Sequence, residues 1–461
     1  MSGARASSSA KGWRGPHKAE GVSPARAAAF EILRRVETEG AFAAILLASD
    51  ALEELSAQDR SLCHELVLGT LRRQLWLDHL IEYYARRRAD GMDAPVRLVL
   101  RMGLYQLRFL SRIPPSAAVN EAVKLVRRAR VRSADSFVNA VLRRATREPQ
   151  YDPATSVKDE LERISIETSH PRWLVERWAN SFGLDEARAF ARSNNEAPPV
   201  AFRVTAGEEE AARVLECLRE AGGELTASEI APGAWRLKGA GVQLRELASE
   251  GLLYVQDEGS QLVAHVLGAR AGERVLDACA APGSKTTHIA ALSGNRALVV
   301  AGDLYEHRLR TLLETGARQR LTTVRAVALD AERALPFLDQ SFDCALVDAP
   351  CSGTGTLRRN PEIRWRISTP DIEELSARQK RILCNTSELV RRGGRLVYST
   401  CSVEPEENEQ VVASFLLERP QFKQVQIKVA ARLLCENGAA RTWPQRDGSD
   451  GFFIAAFERA G

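Results

Sequence analysis

The chain has 461 residues, of which 44% are hydrophobic and 27% charged, and its formal net charge is +4. This is the composition of a globular protein, and at about 150 residues per domain the length predicts two or three domains. It excludes a single small binding module and a chain that is disordered throughout. No apolar run approaches the ~20 residues of a membrane-spanning helix, the stretch at residues 42–48 included, so we expect no membrane partner.

The first residues of the chain are basic. Arg5, Lys11, Arg14 and Lys18 occur without any acidic residue before position 20, and no apolar stretch accompanies them. We therefore predict that residues 1–21 form a disordered basic tail, solvated or touching RNA, rather than a secretory signal. A transit peptide is the alternative that this composition leaves open.

Eight cysteines are spread along the chain, and none belongs to a CxxC pair or is accompanied by a His pair. This spacing predicts neither a zinc site nor a disulfide framework. We expect reduced thiols, a cytoplasmic protein and no bound metal.

Residues 22–150 carry a helical pattern. Apolar residues recur at helical spacing, as at Ala29, Ile32, Leu33 and Val36, and strand signals are absent. We predict an all-α bundle of five or six helices. This is also the basic end of the protein, with 25 Lys and Arg against 16 Asp and Glu in residues 1–150.

The densest basic cluster lies between residues 101 and 150. Lys124, Arg128 and Arg132 would share one helix face, with Arg127 beside them and Arg130 nearby. Such a face indicates a phosphate-rich partner, and an ordinary solvated helix face is the alternative.

Three segments follow the bundle. Residues 151–199 are predicted to be a helical linker that ends in an Asn- and Pro-rich break, and residues 200–255 a small α+β unit. In residues 256–461, short Val-, Leu- and Ile-rich runs alternate with helical stretches. They predict a doubly wound, Rossmann-like α/β domain with strands at 274–276, 298–302, 324–328, 344–347, 395–399 and 452–457.

Acidic residues follow three successive strands of this predicted sheet, at Asp277, Asp303 and Asp330. An acid after the second strand can accept hydrogen bonds from both ribose hydroxyls, and one after the third can accept from an adenine amino group. The turn after the first strand is rich in small residues but matches neither GxGxxG nor a P-loop. The combination predicts a site for S-adenosylmethionine, although each Asp alone would suit a turn.

Two further strand ends carry cysteines. The strand at 344–347 leads into Asp348 and Cys351, and the strand at 395–399 leads into Cys401. Since the fourth and fifth strands of a doubly wound sheet are neighbours, we expect both thiols over one pocket.

A thiol suits methyl transfer to C5 of a pyrimidine, which is a poor nucleophile until electrons are pushed into the ring. Addition of a thiolate to C6 makes C5 reactive, C5 takes the methyl group, a base removes the C5 proton, and the thiolate leaves. Asp348, as a neutral acid, is predicted to hydrogen bond the base edge and stabilise charge on N3.

Four segments resemble the Sun-type (Fmu) RNA cytosine C5 methyltransferases: QDEGSQL at 256–262, DACAAPGSK at 277–285, DAPCSGTGTLRRNPEIRWR at 348–366 and STCSVEPEENEQVV at 399–412. Residues 22–150 resemble the NusB-type helical RNA-binding domain, and residues 200–255 are similar to the family's small RNA-binding subdomain. The same domain order occurs in the family's bacterial members, which act on 16S-type small-subunit ribosomal RNA. The resemblance therefore implies this RNA as the partner, and it implies a monomeric enzyme.

The resemblance implies roles for individual residues. Cys401 would be the nucleophile, Cys351 would help to release the product, and the remaining motif residues would bind S-adenosylmethionine: Cys279, Ala280, Ala281, Pro282, Gly283, Ser284, Lys285, Asp303, Asp330 and Asp348. Ser284 stands where close relatives often have Gly.

Two alternatives remain open. Cys351 could be the attacking thiol, or the protein could be a non-catalytic RNA-binding factor. A run of arginines after the first cysteine loop could contact an RNA backbone or could be solvated: Arg358, Arg359, Arg364 and Arg366.

Overall fold

A computed structural model describes residues 21–461, so the predicted basic tail lies almost entirely outside the described residues. The described chain divides into two compact units. The first runs to Ala197 and also contains Leu357–Arg366; the second contains Pro198–Thr356 and Ile367–Gly461. Within the described residues, no helix has both the length and the hydrophobicity needed to cross a membrane.

The first unit is helical, as predicted. Its helices in residues 21–197 are α1 (Pro24–Thr38), α2 (Ala43–Leu47), α3 (Ala57–Arg72), α4 (Gln74–Ala85), α5 (Ala94–Phe109), α6 (Pro115–Arg128), α7 (Asp135–Arg147), α8 (Glu160–Thr168), α9 (Arg172–Phe182) and α10 (Leu184–Ser193). The buried faces of α1 to α7 form one hydrophobic core. Ser56 caps α3 by accepting a hydrogen bond from the Asp59 N–H. Helices α3 and α5 approach closely because Gly69 has no side chain, and a Cβ there would lie 2.0 Å from the Tyr105 ring.

The basic face predicted around Lys124 is shorter than expected. Helix α6 ends at Arg128, and Arg130 adopts a left-handed backbone conformation with φ of 62°. The helix that carries Lys124 and Arg128 therefore does not reach position 132, and that part of the prediction is wrong. Lys124 and Arg127 are exposed, but they pair with Glu121 and Asp135 of the same unit.

The second unit begins with a small antiparallel sheet followed by a larger mixed one. Its elements, in chain order, are β1 (Val200–Val204), α11 (Glu208–Glu220), β2 (Glu224–Ala227), β3 (Ala234–Lys238), α12 (Gly241–Ser249), β4 (Leu253–Val255), α13 (Glu258–Leu267), β5 (Arg274–Asp277), α14 (Ser284–Leu292), β6 (Leu298–Asp303), α15 (Glu306–Arg318), β7 (Val324–Ala328) and β8 (Phe342–Asp348). After β8 come α16 (Ile363–Arg366), which belongs to the first unit, and then α17 (Thr369–Glu388), β9 (Val390–Thr400), α18 (Glu409–Glu418), β10 (Phe422–Val425), β11 (Ala440–Arg441), α19 (Pro444–Asp447) and β12 (Phe453–Arg459).

The large sheet has the order β10-β12-β9-β8-β5-β6-β7, with β11 pairing beside β12. Strands β5 to β9 pair in parallel, whereas β12 is antiparallel to β9. Successive strand residues such as Val275 and Leu276 join different core clusters, so both faces of the sheet are buried, which explains the continuous apolar runs in the sequence. Since β5 lies between β6 and β8, the chain order reverses there, and ligand sites form at such a switch point.

The arginine-rich segment behaves differently from either sequence interpretation. Residues Leu357–Arg366 leave the sheet unit and complete the helical unit. Arg358 and Arg364 are buried there, and the Arg364 side chain is fully enclosed. Arg366 donates to the backbone carbonyls of Val36, Gly40 and Ala41. We therefore correct the prediction for Arg364, which is neither an RNA contact nor a solvated side chain.

Candidate active site

A cavity of about 310 Å³ opens at the carboxyl ends of the parallel strands. Its walls come from the loops after β5, β6, β7, β8 and β9 and from one side of α17. The residues lining it are Ala278, Cys279, Ala281, Asp303, Leu304, Tyr305, Arg308, Leu329, Asp330, Ala331, Glu332, Asp348, Ala349, Pro350, Cys351, Arg378, Ile382 and Cys401.

The turn after β5 contributes both wall and scaffold. Cys279 and Ala281 line the cavity, whereas Ala280, Pro282, Gly283 and Ser284 shape the turn without lining it. Gly283 has φ of 107°, and a Cβ there would lie 2.6 Å from a Leu312 side-chain atom, so this position requires glycine. The Ala280 N–H donates to the Gly302 carbonyl, which ties the turn to the end of β6.

Two acids lie at the carboxyl ends of β6 and β7, as predicted. Asp303 accepts a hydrogen bond from the Tyr305 N–H and lies 3.3 Å from an Arg308 nitrogen. Asp330 accepts from the Glu332 N–H. Each acid thus stabilises its own turn while facing the cavity, so the local role and the binding role are compatible.

Asp348 and Lys285 form an ion pair at the end of β8. Lys285 Nζ lies 2.7 Å from Asp348 Oδ2, and the Ser399 hydroxyl donates to Asp348 Oδ1 at 2.8 Å. Burial alone would lower the pKa of Lys285, but the charges of Asp348, Cys401 and Asp277 raise it above its usual value. These contacts favour the Asp348 carboxylate in place of the neutral acid inferred from the sequence.

The two cysteine loops meet, as the strand order predicts. Strands β8 and β9 are parallel neighbours, and Cys351 Sγ lies 3.3 Å from Cys401 Sγ. The contact with Cys401, burial and the Glu407 carboxylate raise the pKa of Cys351 well above its usual value. Cys351 is therefore held as the protonated thiol.

Several lining residues have no predicted role. Tyr305 follows Asp303 and is half exposed, which is a detectable signal because a large aromatic side chain at a strand end has nothing in the core to cover it. Arg308, Arg378 and Ile382 come from helices and carry no local signal in the sequence.

The polar groups of the cavity wall match those of S-adenosylmethionine. Asp303, Asp330 and Asp348 place carboxylates in the cavity wall, and S-adenosylmethionine would offer them ribose hydroxyls, an adenine amino group and a positive sulfonium. The half-exposed Tyr305 adds a flat surface for an aromatic base. Within residues 21–461, no group of three or more His, Cys, Asp or Glu side chains is arranged to hold a metal ion.

Comparison with protein families gives matches along most of the chain. Residues 264–458 match the family described as 16S rRNA methyltransferase RsmB/F. Residues 23–147 match the NusB family, and residues 170–243 match the ferredoxin-like domain of RsmF/B-like methyltransferases. These matches confirm the predicted fold class of a NusB-like bundle, a small α+β subdomain and a Rossmann-like methyltransferase domain.

Individual relatives match over nearly their whole length. A probable ribosomal RNA small subunit methyltransferase B of Bacillus subtilis (strain 168) is 35% identical over 442 residues, covering 94% of this chain and 98% of the relative. The ribosomal RNA small subunit methyltransferase B of Pseudomonas putida is 35% identical over 413 residues, covering 88% and 91%.

Solved structures agree. The crystal structure of PH0851 has a TM-score of 0.81 and 30% identity, covering 94% of this chain and 98% of that one. A methyltransferase homolog protein from Pyrococcus horikoshii has a TM-score of 0.58 and 27% identity, covering 66% and 100%.

Proposed function

Because the chain belongs to the RsmB/F family of 16S rRNA methyltransferases, we propose that it methylates C5 of one cytosine in small-subunit ribosomal RNA. It is a methyltransferase whose cofactor is S-adenosylmethionine. Membership of this family argues against a non-catalytic RNA-binding factor. The relatives of Bacillus subtilis and Pseudomonas putida are named for the small-subunit RNA, and this supports the same substrate class here.

Cys401 is the proposed nucleophile. Its thiolate forms a bond to C6 of the cytosine, and the C5–C6 electrons move into the ring so that C5 becomes nucleophilic. The cofactor supplies an electrophilic methyl group beside a positive sulfur. The Lys285 ammonium supports the thiolate, since the charge of Cys401 is among those that hold the proton on Lys285.

Asp348 is the proposed anchor of the base edge. Held by Lys285 and Ser399, its carboxylate can accept a hydrogen bond from the cytosine amino group, and from N3 once N3 has taken a proton from solvent. This fixes the ring with C6 toward Cys401 and stabilises the adduct. The cytosine must be turned out of any stack to reach this position.

Cys351 is the proposed group for product release. In the adduct Cys401 is an uncharged thioether, so the neighbouring thiolate that keeps Cys351 protonated is gone. Cys351 can then lose its proton to solvent and take the proton from C5. The C5–H electrons restore the C5–C6 double bond, the S–C6 bond breaks, and Cys401 leaves as a thiolate.

The observation that carries this proposal is the 3.3 Å separation of Cys351 and Cys401 at the rim of the cavity. A single thiol would suffice for a buried hydrophobic role, whereas two thiols on adjacent strand ends suit a reaction with an attack and a release.

The test uses RNA containing 5-fluorocytosine, which blocks the release step because fluorine cannot leave as a proton does. We expect the wild-type enzyme and Cys351→Ala to form a covalent adduct and Cys401→Ala to form none, measured by denaturing gel electrophoresis. Adduct formation by Cys401→Ala but not by Cys351→Ala would assign the attack to Cys351 instead. Bisulfite sequencing of ribosomal RNA from a deletion strain identifies the cytosine.

A further inference from the structure

A buried carboxylate connects the two cysteine loops through hydrogen bonds. Glu407 is fully enclosed, and four donors point at its two oxygens. Oε1 accepts from the Ser352 N–H and from Gln379 Nε2, each at 2.8 Å. Oε2 accepts from the hydroxyls of Ser352 and Ser402. Ser352 directly follows Cys351 and Ser402 directly follows Cys401, so this one side chain touches the neighbour of each thiol.

The two loops depend on Glu407 to different extents. Among the described residues, the Ser352 N–H has no acceptor other than Glu407. Two contacts tie both loops, since the Ser352 and Ser402 hydroxyls lie 3.1 Å apart and the Gly355 N–H, in the loop of Cys351, donates to the Cys401 carbonyl at 2.9 Å. The loop of Cys401 also has ties of its own, because the Ser402 N–H donates to Thr400 Oγ1 at 3.3 Å and Asn408 Nδ2 donates to the Ser402 carbonyl at 2.9 Å. Loss of the carboxylate would therefore release the Cys351 loop more than the Cys401 loop.

The residue before Cys351 is held through the same network. Gln379 Nε2, which Glu407 orients, also donates to the Pro350 carbonyl at 3.0 Å. The Tyr398 hydroxyl lies 3.1 Å from Gln379 Oε1 and 2.5 Å from the Glu407 carbonyl. Both neighbours of Cys351 are thus fixed by Glu407, one directly and one through Gln379.

We infer that Glu407 is a positioning residue for the release step, holding Cys351 within reach of the adduct on Cys401. This inference rests on the proposed function, in which the two thiols have separate roles. Glu407 does not line the cavity, so it acts on the reaction only through the loops that it holds.

The charge of Glu407 also affects the protonation of Cys351. Burial raises the pKa of Glu407, while the hydrogen bonds from Ser352 and Ser402 oppose that rise. Among the residues that the structure describes, four donors and no acceptor surround the carboxyl, which matches the ionised form. Its negative charge is among the causes that keep the proton on Cys351 before the attack. Position and protonation of Cys351 are therefore set by one group.

The test compares Glu407→Ala, Glu407→Gln and Cys351→Ala on RNA with ordinary cytosine. We expect Glu407→Ala to behave like Cys351→Ala, with release slowed at least tenfold, since a misplacement of about 1 Å can cost about 100-fold in rate. The covalent adduct should then accumulate on denaturing gels, while KM for RNA and cofactor stays close to that of the wild type. Glu407→Gln keeps the side-chain volume and one accepting oxygen, so its release rate should lie between those of the wild type and Glu407→Ala.

Accumulation separates positioning from simple loss of structure, because a destabilised enzyme forms less adduct and not more. The control is Glu273→Ala, which removes a partly buried carboxylate paired with Arg395 at the opposite end of the sheet. It should lower stability without accumulating adduct. If Glu407→Ala does not fold, Glu407→Gln decides, and release at the wild-type rate by that variant overturns the inference.

Two further outcomes would also overturn it. One is a folded Glu407→Ala that releases product at the wild-type rate, and the other is a folded Glu407→Ala that, like Cys401→Ala, forms no adduct with 5-fluorocytosine RNA. Failure of the proposed function looks different, because then the wild-type enzyme itself forms no adduct on 5-fluorocytosine RNA.

Discussion

Asp277 shows how one buried carboxyl makes the stability of the protein depend on pH. It ends β5, is almost fully enclosed, and accepts a hydrogen bond from Thr286 through Oδ2, whereas Oδ1 has no hydrogen-bond partner among the described residues. Burial raises the pKa of Asp277 to about 7, against the effect of Thr286 and with a contribution from the Asp348 charge. The native state thus prefers the neutral acid.

We expect Asp277→Asn to remove a pH dependence from folding. The unfolded chain loses this proton near the ordinary pKa of 3.8, whereas the native state keeps it to about 7. The wild type therefore loses stability as the pH rises from about 4 to 7. One pKa unit corresponds to about 1.4 kcal/mol. The free energy of unfolding of Asp277→Asn, measured relative to that of the wild type, should therefore rise by a few kcal/mol across that pH range. Urea titrations at pH 4.5 and 8 check this, and a difference that is constant with pH would refute it.

At the scale of single residues, the sequence predicted the contact between the two thiols but not the groups that surround them. The contact between Cys351 and Cys401 follows from the adjacency of two parallel strands, which the alternating pattern predicts. The role of Glu407 does not follow, because the carboxylate is separated from Ser352 by 55 residues and its donors come from three elements. The Lys285–Asp348 pair was hidden for the same reason, since a turn and a distant strand end form it.

At the scale of elements, a single buried guanidinium joins the ends of three helices. Arg364 donates to the carbonyls of Arg72 in the last turn of α3, of Thr168 and Ser169 at the end of α8, and of Asn194 after α10. The last carbonyls of a helix have no partner within it and carry partial negative charge. This explains how a fully enclosed cation is stabilised by backbone dipoles. The sequence could not predict this, because the motif around Arg364 lies between two strands of the other unit.

We expect Arg364→Ala to destabilise the helical unit by about 3 kcal/mol or more, because several buried carbonyls lose their donor at a cost of about 1 to 3 kcal/mol each. Arg364→Lys should recover only part of this, since an ammonium lacks the planar fork. The control is Arg163→Ala, which breaks an exposed pair with Glu160 in α8 and should change stability by less than about 0.5 kcal/mol. Urea unfolding followed by circular dichroism measures all three, and equal effects of Arg364→Ala and Arg163→Ala would contradict the capping role.

At the scale of the whole molecule, the boundary between the units does not coincide with one point in the chain. The helical unit needs residues 357–366, which come long after Ala197, the last residue of its main part. The Arg72 side chain donates to the Arg358 carbonyl at 2.6 Å, and the Ala43 N–H donates to Glu362 at 2.7 Å. These bonds make the segment part of the helical core and not a loop of the sheet unit.

We therefore expect the two fragments of a chain cleaved between Ala197 and Pro198 to remain associated. An inserted protease site at this junction would produce two pieces, and residues 357–366 of the second would remain seated in the first. Native size-exclusion chromatography after cleavage should show one peak at the mass of the intact chain. The same cut in Arg364→Ala should give pieces that separate at a lower urea concentration. Separation of the wild-type pieces without urea would show that residues 357–366 are not held in the helical unit.

The same interrupted connectivity bears on the order of events at the ribosome. A nascent helical unit that ended at residue 197 could close as soon as it emerged, but this one lacks the guanidinium for its three helix ends until about 170 more residues have been made. At synthesis rates of about 5 to 20 residues per second that interval is roughly 10 to 30 seconds. During synthesis the amino-terminal bundle must therefore remain incomplete while the first strands of the large sheet are made. The two units then reach their final form late in synthesis, almost together.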